Sequence, residues 1–432
     1  MLSAVASDPE RLMMALERTE ALDKRTVWHL FEEGQHPGRS LFPRECLPAA
    51  GWQSRLLQEQ SLREAAFLNG MVKSLTRRDA LPDEVLAWML EELPLCPRDD
   101  LANAYVDVLE SCPEQMRSLL DLGRIQSLFT QLRAKKELLD IAAEPQPNQK
   151  MRKDTSRRQP PRLRWLVDLL GRLASSLSSD VRDYALAVLI RISPDDSIQD
   201  NAGLRHVITS TIGALMNSIP ISDAESTLER TASQLYTWAR DPILQFRTFS
   251  CLPAYNPRQC TFRRHLALAF FLGSAKALSI PFTSPDLLDA VLHRLETSSD
   301  FVFTHGTDYA RVSALFNLLD TAIDAGFSDR SFAEAADQAV ARKAEEEFNE
   351  GVDDLAGAVR RVMSQIRGSG IESLPKSEAK SVMERLAYRL EAAVRTKEKS
   401  GRSVFDSAVM EGEKEALSRW LGIGGAKDPA GL

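Results

Sequence analysis

The chain has 432 residues, 44% of them hydrophobic and 27% charged, with a formal net charge of -7. That length is more than one hydrophobic core ordinarily serves, so two lobes are expected. The negative balance excludes a protein that grips phosphate with its whole surface, and any nucleic-acid contact has to come from a local patch. Five cysteines, Cys46, Cys96, Cys112, Cys251 and Cys260, are an odd number at irregular spacing with no C-x-x-C. This argues against a disulfide framework and a zinc module, and for a reducing compartment. The opening "MLSAVASDPERLMMALERTE" turns acidic before an apolar stretch of signal-peptide length develops, and no run of 18 apolar residues follows. An intracellular chain that does not cross a membrane is expected.

Apolar residues recur at three-to-four spacing nearly throughout, with hardly any β-branched alternation. The expected fold is all-α: an irregular HEAT-like α-solenoid of helical hairpins in two lobes, closed by long C-terminal helices. Residues 1–140 form the N-terminal helical lobe, cut into short helices by Pro43, Pro48, Pro82, Pro94, Pro97 and Pro113. Residues 141–161 are a basic, proline-rich linker with too few apolar side chains to bury a face, and a long loop is expected there.

Residues 162–330 form the HEAT-like lobe. Leu163, Leu166, Val167, Leu170, Leu173 and Leu177 fall on one helical stripe, with Arg164, Asp168 and Arg172 on the wet side. Ser179 or Asp180 then caps a second helix that turns Val181, Ala185, Val188, Leu189 and Ile192 inward, and the two helices are expected to form a hairpin. Asp241 before Pro242 and Ser284 before Pro285 pair a cap with a proline suited to a first turn. Ser222 with Glu225, and Ser331 with Glu334, have capping-box spacing. Trp88, Trp165 and Trp238 are expected in the core; Phe270 and Phe271, adjacent on one helix, suit either a partner groove or, as favoured here, a helix buried on two sides. Residues 331–421 hold charged helices near 331–367, 377–397 and 404–421, and 422–432 a Gly-rich flexible tail.

Motifs for catalysis are wanting. There is no phosphate-cradling G-x-x-x-x-G-K-[ST], no H-E-x-x-H and no G-x-S-x-G, and "GIGGAKDPAGL" has glycines without a strand before or a helix after. Cys260 and His265, five apart, fall on different helical faces, so an activated thiolate is not expected. No catalytic, cofactor or metal-binding residue is expected.

The chemically distinctive stretch is "QKMRKDTSRRQPPRLRW". Lys150, Arg152, Lys153, Arg157, Arg158, Arg162 and Arg164 set seven cations against one anion, Asp154. Such a run serves as a solvated hinge with a nuclear-import role, or as a hand that lies on DNA backbone and releases counterions. No aromatic is interleaved before Trp165, so base stacking is not expected.

The stretches "LPDEVLAWMLEELPLCPRDDLANAYVDVLESCPEQ" (Leu81 to Gln115), "IQSLFTQLRA" (Ile125 to Ala134), "DYALAVLIRISPDDSI" and "FRRHLALAFFLG" resemble the fungal form of the CANIN family, coiled-coil SMC and NSE interacting. The similarity runs from about residue 50 to 330 and rests on hydrophobic patterns with Leu81, Pro82, Trp88, Tyr105 and Phe129 among them; Arg133 stands where the family pattern has glycine. The resemblance implies a non-enzymatic subunit that forms a heterodimer with a second helical NSE subunit. The pair docks on the SMC ATPase subunits of the repair-associated complex, restrains their ATP turnover and promotes loading on chromatin in the nucleus. Residue chemistry alone leaves open a generic HEAT-like protein-protein adaptor, or a helical-repeat nucleic-acid-binding protein with a basic stripe along one face.

Overall fold

The computed structural model of the chain describes residues 24–34, 38, 40–151, 162–284, 286–304, 306–323, 332, 338–366 and 374–397. Among them the fold is all-α, with one two-stranded antiparallel ribbon of β1 (Lys24–Val27) and β2 (Asn148–Met151). β2 corrects the expected loop. A short strand needs no buried face of its own when a neighbour takes up the hydrogen-bonding groups along one edge of its backbone, and β1 does so.

Between β1 and β2 in the chain come α1 (Trp52–Leu57), α2 (Gln60–Leu68), α3 (Met71–Thr76), α4 (Asp83–Glu92), α5 (Asp99–Glu110), α6 (Pro113–Leu119), α7 (Leu122–Gln131) and α8 (Lys136–Leu139). Prolines punctuate them as expected: Pro82 precedes α4, and Pro113 opens α6, where its missing amide costs nothing. After β2 come α9 (Arg164–Arg172), α10 (Ser179–Ile192), α11 (Asp196–Gln199), α12 (Ala202–Ser218), α13 (Ile221–Trp238) and α14 (Pro242–Thr248). The chain continues through α15 (Pro257–Leu272), α16 (Asp286–Thr297), α17 (Tyr309–Ile323), α18 (Gln338–Ser364) and α19 (Leu374–Arg389), the last extended by a π turn over Leu390–Val394. The expected helix near 404–421, the tail, and the Ser331 and Glu334 pair lie outside the described residues, as does Pro285.

α9 packs between α5 and α12, α15 between α13 and α17, and α18 against α16 and α19. The expected α9 and α10 hairpin is not among the helix pairs packed side by side. The reason lies in α10, which is buried on every side from Ala185 to Ile192 rather than along one stripe, and spends its surface on α7, α12, α13 and α14. α9 meets α12 closely instead: a Cβ on Gly171 would lie 2.7 Å from Thr211 Oγ1, and that hydroxyl donates to the Val167 carbonyl at 3.0 Å. One continuous cluster of buried side chains runs from Trp28 to Val394. Trp88, Trp238, Phe270 and Phe271 are buried as expected. Trp165 is only half-buried, because its indole N–H reaches outward to the Asp99 carboxylate at 2.8 Å.

Helix starts differ from the sequence reading in detail. Asp241 caps α14 as expected, accepting from the amides of Ile243 at 2.8 Å and Leu244 at 3.3 Å. Ser178, not Ser179 or Asp180, precedes α10, and its side chain makes no capping bond. Ser222 lies inside the first turn of α13, which begins directly after Pro220, and its hydroxyl bonds the Asp223 carboxylate at 2.9 Å instead. A residue already in the first turn has helical φ and ψ and cannot cap it.

The stretch after β1 is the keystone. Trp28, fully buried, bridges to Asp195, and its carbonyl accepts the Asp196 amide at 2.9 Å. Asp195, 2% exposed, takes the Leu30 amide on Oδ2 at 2.7 Å, and the Ser197 amide and hydroxyl on Oδ1 at 2.9 and 2.5 Å. It thus caps α11 and pins the stretch after β1 at once. On the other flank, the amide of Glu32 donates to the Arg133 carbonyl and that of Lys135 to the Leu30 carbonyl, each at 2.9 Å. Arg133 has φ 64 and sits one residue past the cap of α7. Its amide bonds the Thr130 carbonyl at 2.8 Å, and the next amide, of Ala134, bonds Phe129 at 3.0 Å. Those are the two hydrogen bonds of a Schellman motif, whose left-handed position favours glycine.

Urea denaturation reads both features. Asp195→Ala leaves the buried amides of Leu30 and Ser197 without an acceptor and is expected to cost about 3 kcal/mol; a loss below about 1 kcal/mol would deny Asp195 its place as a tie. Arg133→Gly relieves the left-handed strain at the expense of chain entropy and a partly exposed ion pair to Glu32, for an expected net gain of about 0.5 kcal/mol. Arg133→Val at the same site is expected to destabilise.

Candidate nucleic-acid interface

The basic segment begins in β2 and ends at the start of α9. The backbone of Lys150 stands opposite Arg25 in the ribbon. Arg152, Lys153, Arg157 and Arg158 lie outside the described residues, and of Lys150 only the backbone is described. Arg162 and Arg164 are exposed. Arg162 donates from Nη1 to the Leu95 carbonyl at 3.2 Å, and the Arg164 guanidinium stands 4.8 Å from the centroid of the Trp165 ring. Since Trp165 is tied to Asp99, these two cations are held at one edge, where the α4–α5 connection meets the start of α9. Among the described residues neither forms an ion pair, so both guanidinium groups keep donors for an external anion.

Arg25 is the cation that periodicity misses. Its guanidinium lies 3.2 Å from Asp196 and 3.6 Å from Asp200, and behind it the Arg247 guanidinium stands 5.4 Å from the Trp28 ring centroid. Burial holds the Arg247 pKa below the usual guanidinium range, while Asp196 opposes that shift. The signal available in the sequence is "KRTVWHLF" (24–31), whose β-branched and aromatic residues break the helical period.

The other candidates do not converge. Cys260 Sγ donates to the Ala254 carbonyl at 3.6 Å, whereas His265 Nε2 lies 3.1 Å from the Ile280 carbonyl with its ring stacked on Phe282 at 4.3 Å. All five cysteines are free thiols, and burial pushes Cys251 up to about 11, which makes it a poor nucleophile. A cleft of about 940 Å³ is walled by Phe42, Trp88 and Tyr105, but the chain's own Arg63 lies over those rings, 4.0 Å from Phe42 and 5.5 Å from Trp88. Among the described residues no His, Cys, Asp and Glu group is arranged to hold a metal ion, and no helix is long and apolar enough to cross a membrane. Compared with models of known protein families and with curated proteins, the chain matches none.

Replacing Arg152, Lys153, Arg157 and Arg158 together by glutamate is expected to weaken duplex binding and to flatten the log-affinity against log-salt slope by about 0.9 for each phosphate no longer neutralised. An unchanged slope with abolished nuclear import would assign the segment to transport alone. A separate outcome concerns pH. Burial, with Arg264 adding to it and Glu225 and Glu229 opposing, holds the His265 pKa below its ordinary 6.5. The folded chain therefore resists protonation there, and the associated stability is complete above the unfolded value and is lost as pH falls below it. Melting curves between about pH 7.5 and pH 5 are expected to fall less steeply for His265→Asn than for the parent.

Proposed function

We propose that the chain is a non-enzymatic scaffold, an irregular HEAT-like array of helices, that pairs with a second helical NSE subunit to regulate the repair-associated SMC complex and load it on chromatin. In this reading it acts in the nucleus during DNA repair and replication stress, as a heterodimer docked on the SMC ATPase subunits. The observation that carries the reading is at Arg133. The family pattern has glycine at this place, and here the backbone takes φ 64 in a Schellman motif, the conformation for which glycine is suited. The side chain departs from the pattern while the backbone keeps its requirement. Support comes also from the core, since the stretches that carry the resemblance supply Trp88, Tyr105, Phe129, Ile192 and Phe270, all buried.

The basic segment gives the proposed heterodimer a means of lying on DNA without reading sequence, through phosphate neutralisation rather than stacking. Affinity purification from the native cell with mass spectrometry is the test, and SMC and NSE subunits are the expected prey. Recovery of other stable partners without them would favour the generic adaptor. Light scattering of the chain with its NSE partner is expected to give a heterodimer burying more than roughly 2,000 Å²; a clean monomer indifferent to that partner overturns the pairing.

A further inference from the structure

A groove of about 520 Å³ runs between α13 and α15. Its α13 wall is Ile221, Ala224, Leu228 and Ala232, which recur at helical spacing and form one ridge. Phe262 and Leu278 face it from the other side. Three of these are nearly covered, Leu228 at 8%, Phe262 at 4% and Leu278 at 8% exposed, while Ile221 at the groove's end is 88% exposed. From Ile221 to Ala232 the ridge spans about 16 Å, three turns of a helix.

The lips are not neutral. Glu225 and Glu229, one turn apart on α13, line the same groove, are exposed, and form no hydrogen bond or ion pair among the described residues. On the opposite lip Arg258 is spent on the chain itself, donating from Nη1 to the carbonyls of Met216 and Ile219 at 3.0 Å each. An apolar floor with a pair of unmatched carboxylates along one edge is the complement of a helix whose apolar ridge is flanked by cations.

We propose that this groove seats one amphipathic helix of a partner protein, its apolar ridge on Leu228, Phe262 and Leu278 and two basic side chains, one turn apart, on Glu225 and Glu229. The surface stands on its own geometry, whether or not the SMC reading holds. Three turns match the length of the ridge, and the exposed Ile221 gives the last turn an apolar contact.

The test uses the full chain and two synthetic peptides of about 18 residues with the same leucine ridge, one flanked by lysine and one by glutamate, each read by fluorescence anisotropy. The lysine peptide is expected to bind and the glutamate peptide not. Charge reversal by Glu225→Lys with Glu229→Lys is expected to weaken the lysine peptide at least tenfold and to let the glutamate peptide bind. Reversal of Glu346 and Glu350, an exposed pair of the same spacing on α18, is expected to change neither. Circular dichroism monitors the fold of each variant. Failure of the lysine peptide to bind overturns the proposal, as does an equal loss on reversing Glu346 and Glu350, which would mark attraction by net charge alone. Self-association of the unliganded chain, abolished by the Glu225 and Glu229 reversal, would give the groove to a second copy and likewise overturn it.

Discussion

The carboxylate of Asp195 joins parts of the chain 165 residues apart. One oxygen completes α11 by capping it, and the other fixes the backbone of Leu30, so a local requirement of helix termination is met by the same group that sets a long-range one. Such a group cannot be replaced by an apolar isostere without orphaning amides on both sides. It stands just beyond α10, the helix buried all round, and the stretch it holds is trapped on its other flank by the carbonyl of Arg133 and the amide of Lys135. The stretch after β1 is thereby clamped between the end of α7 and the end of α10. Fully buried Trp28 fills the clamp, and the charges of Arg25, Asp196, Asp200 and Arg247 gather round it. Of these only Asp196 is fully buried, at 2% exposed, while Arg25 and Asp200 keep about a third of their side chains in solvent.

The three-to-four recurrence of apolar residues is a strong signal because each helix must bury a stripe, and it makes α5, α9, α13 and α17 legible from sequence. What it cannot give is which stripe meets which. The run "ALAVLIRI" in α10 is apolar on all faces except Arg191, which is 1% exposed with its pKa pushed down to about 10 by burial. Periodicity picks one face of such a segment, whereas the fold uses all of them. The partner of α9 escapes periodicity for a related reason: helix pairing is decided by shape at positions such as Gly171 and Thr211, which carry no hydrophobic signal. β1 and β2 are hidden because each is four residues long and is held by pairing with the other, not by a pattern of its own.

The candidate surfaces are legible to unequal degrees. Charge composition alone marks the basic segment, and proline content marks it as unable to bury a face. Neither shows that its first residues are held on β1 or that Arg162 is held on the Leu95 carbonyl. The groove is hidden by a capping motif. Ser222 and Glu225 have the spacing of a reciprocal cap, which would commit the Glu225 carboxylate to a backbone amide. Because α13 begins directly after Pro220, Ser222 lies too far inside to cap, and Glu225 is released to the rim beside Glu229. A small shift in a helix start thus converts a structural carboxylate into a surface one.

The supports of the basic segment bear on how it would hold an anion. A cationic tail tethered at one end loses much of its freedom on binding, and that loss subtracts from every phosphate interaction. Here the segment is anchored at both ends: at β2 by ribbon hydrogen bonds to β1, and at α9 by the bonds of Arg162 to Leu95 and of Trp165 to Asp99. Part of the entropy cost is therefore met in folding, before any ligand arrives. The anchor at β1 is itself tied through Arg25 to Asp196 and Asp200, and the chain just after it through Trp28 to Asp195.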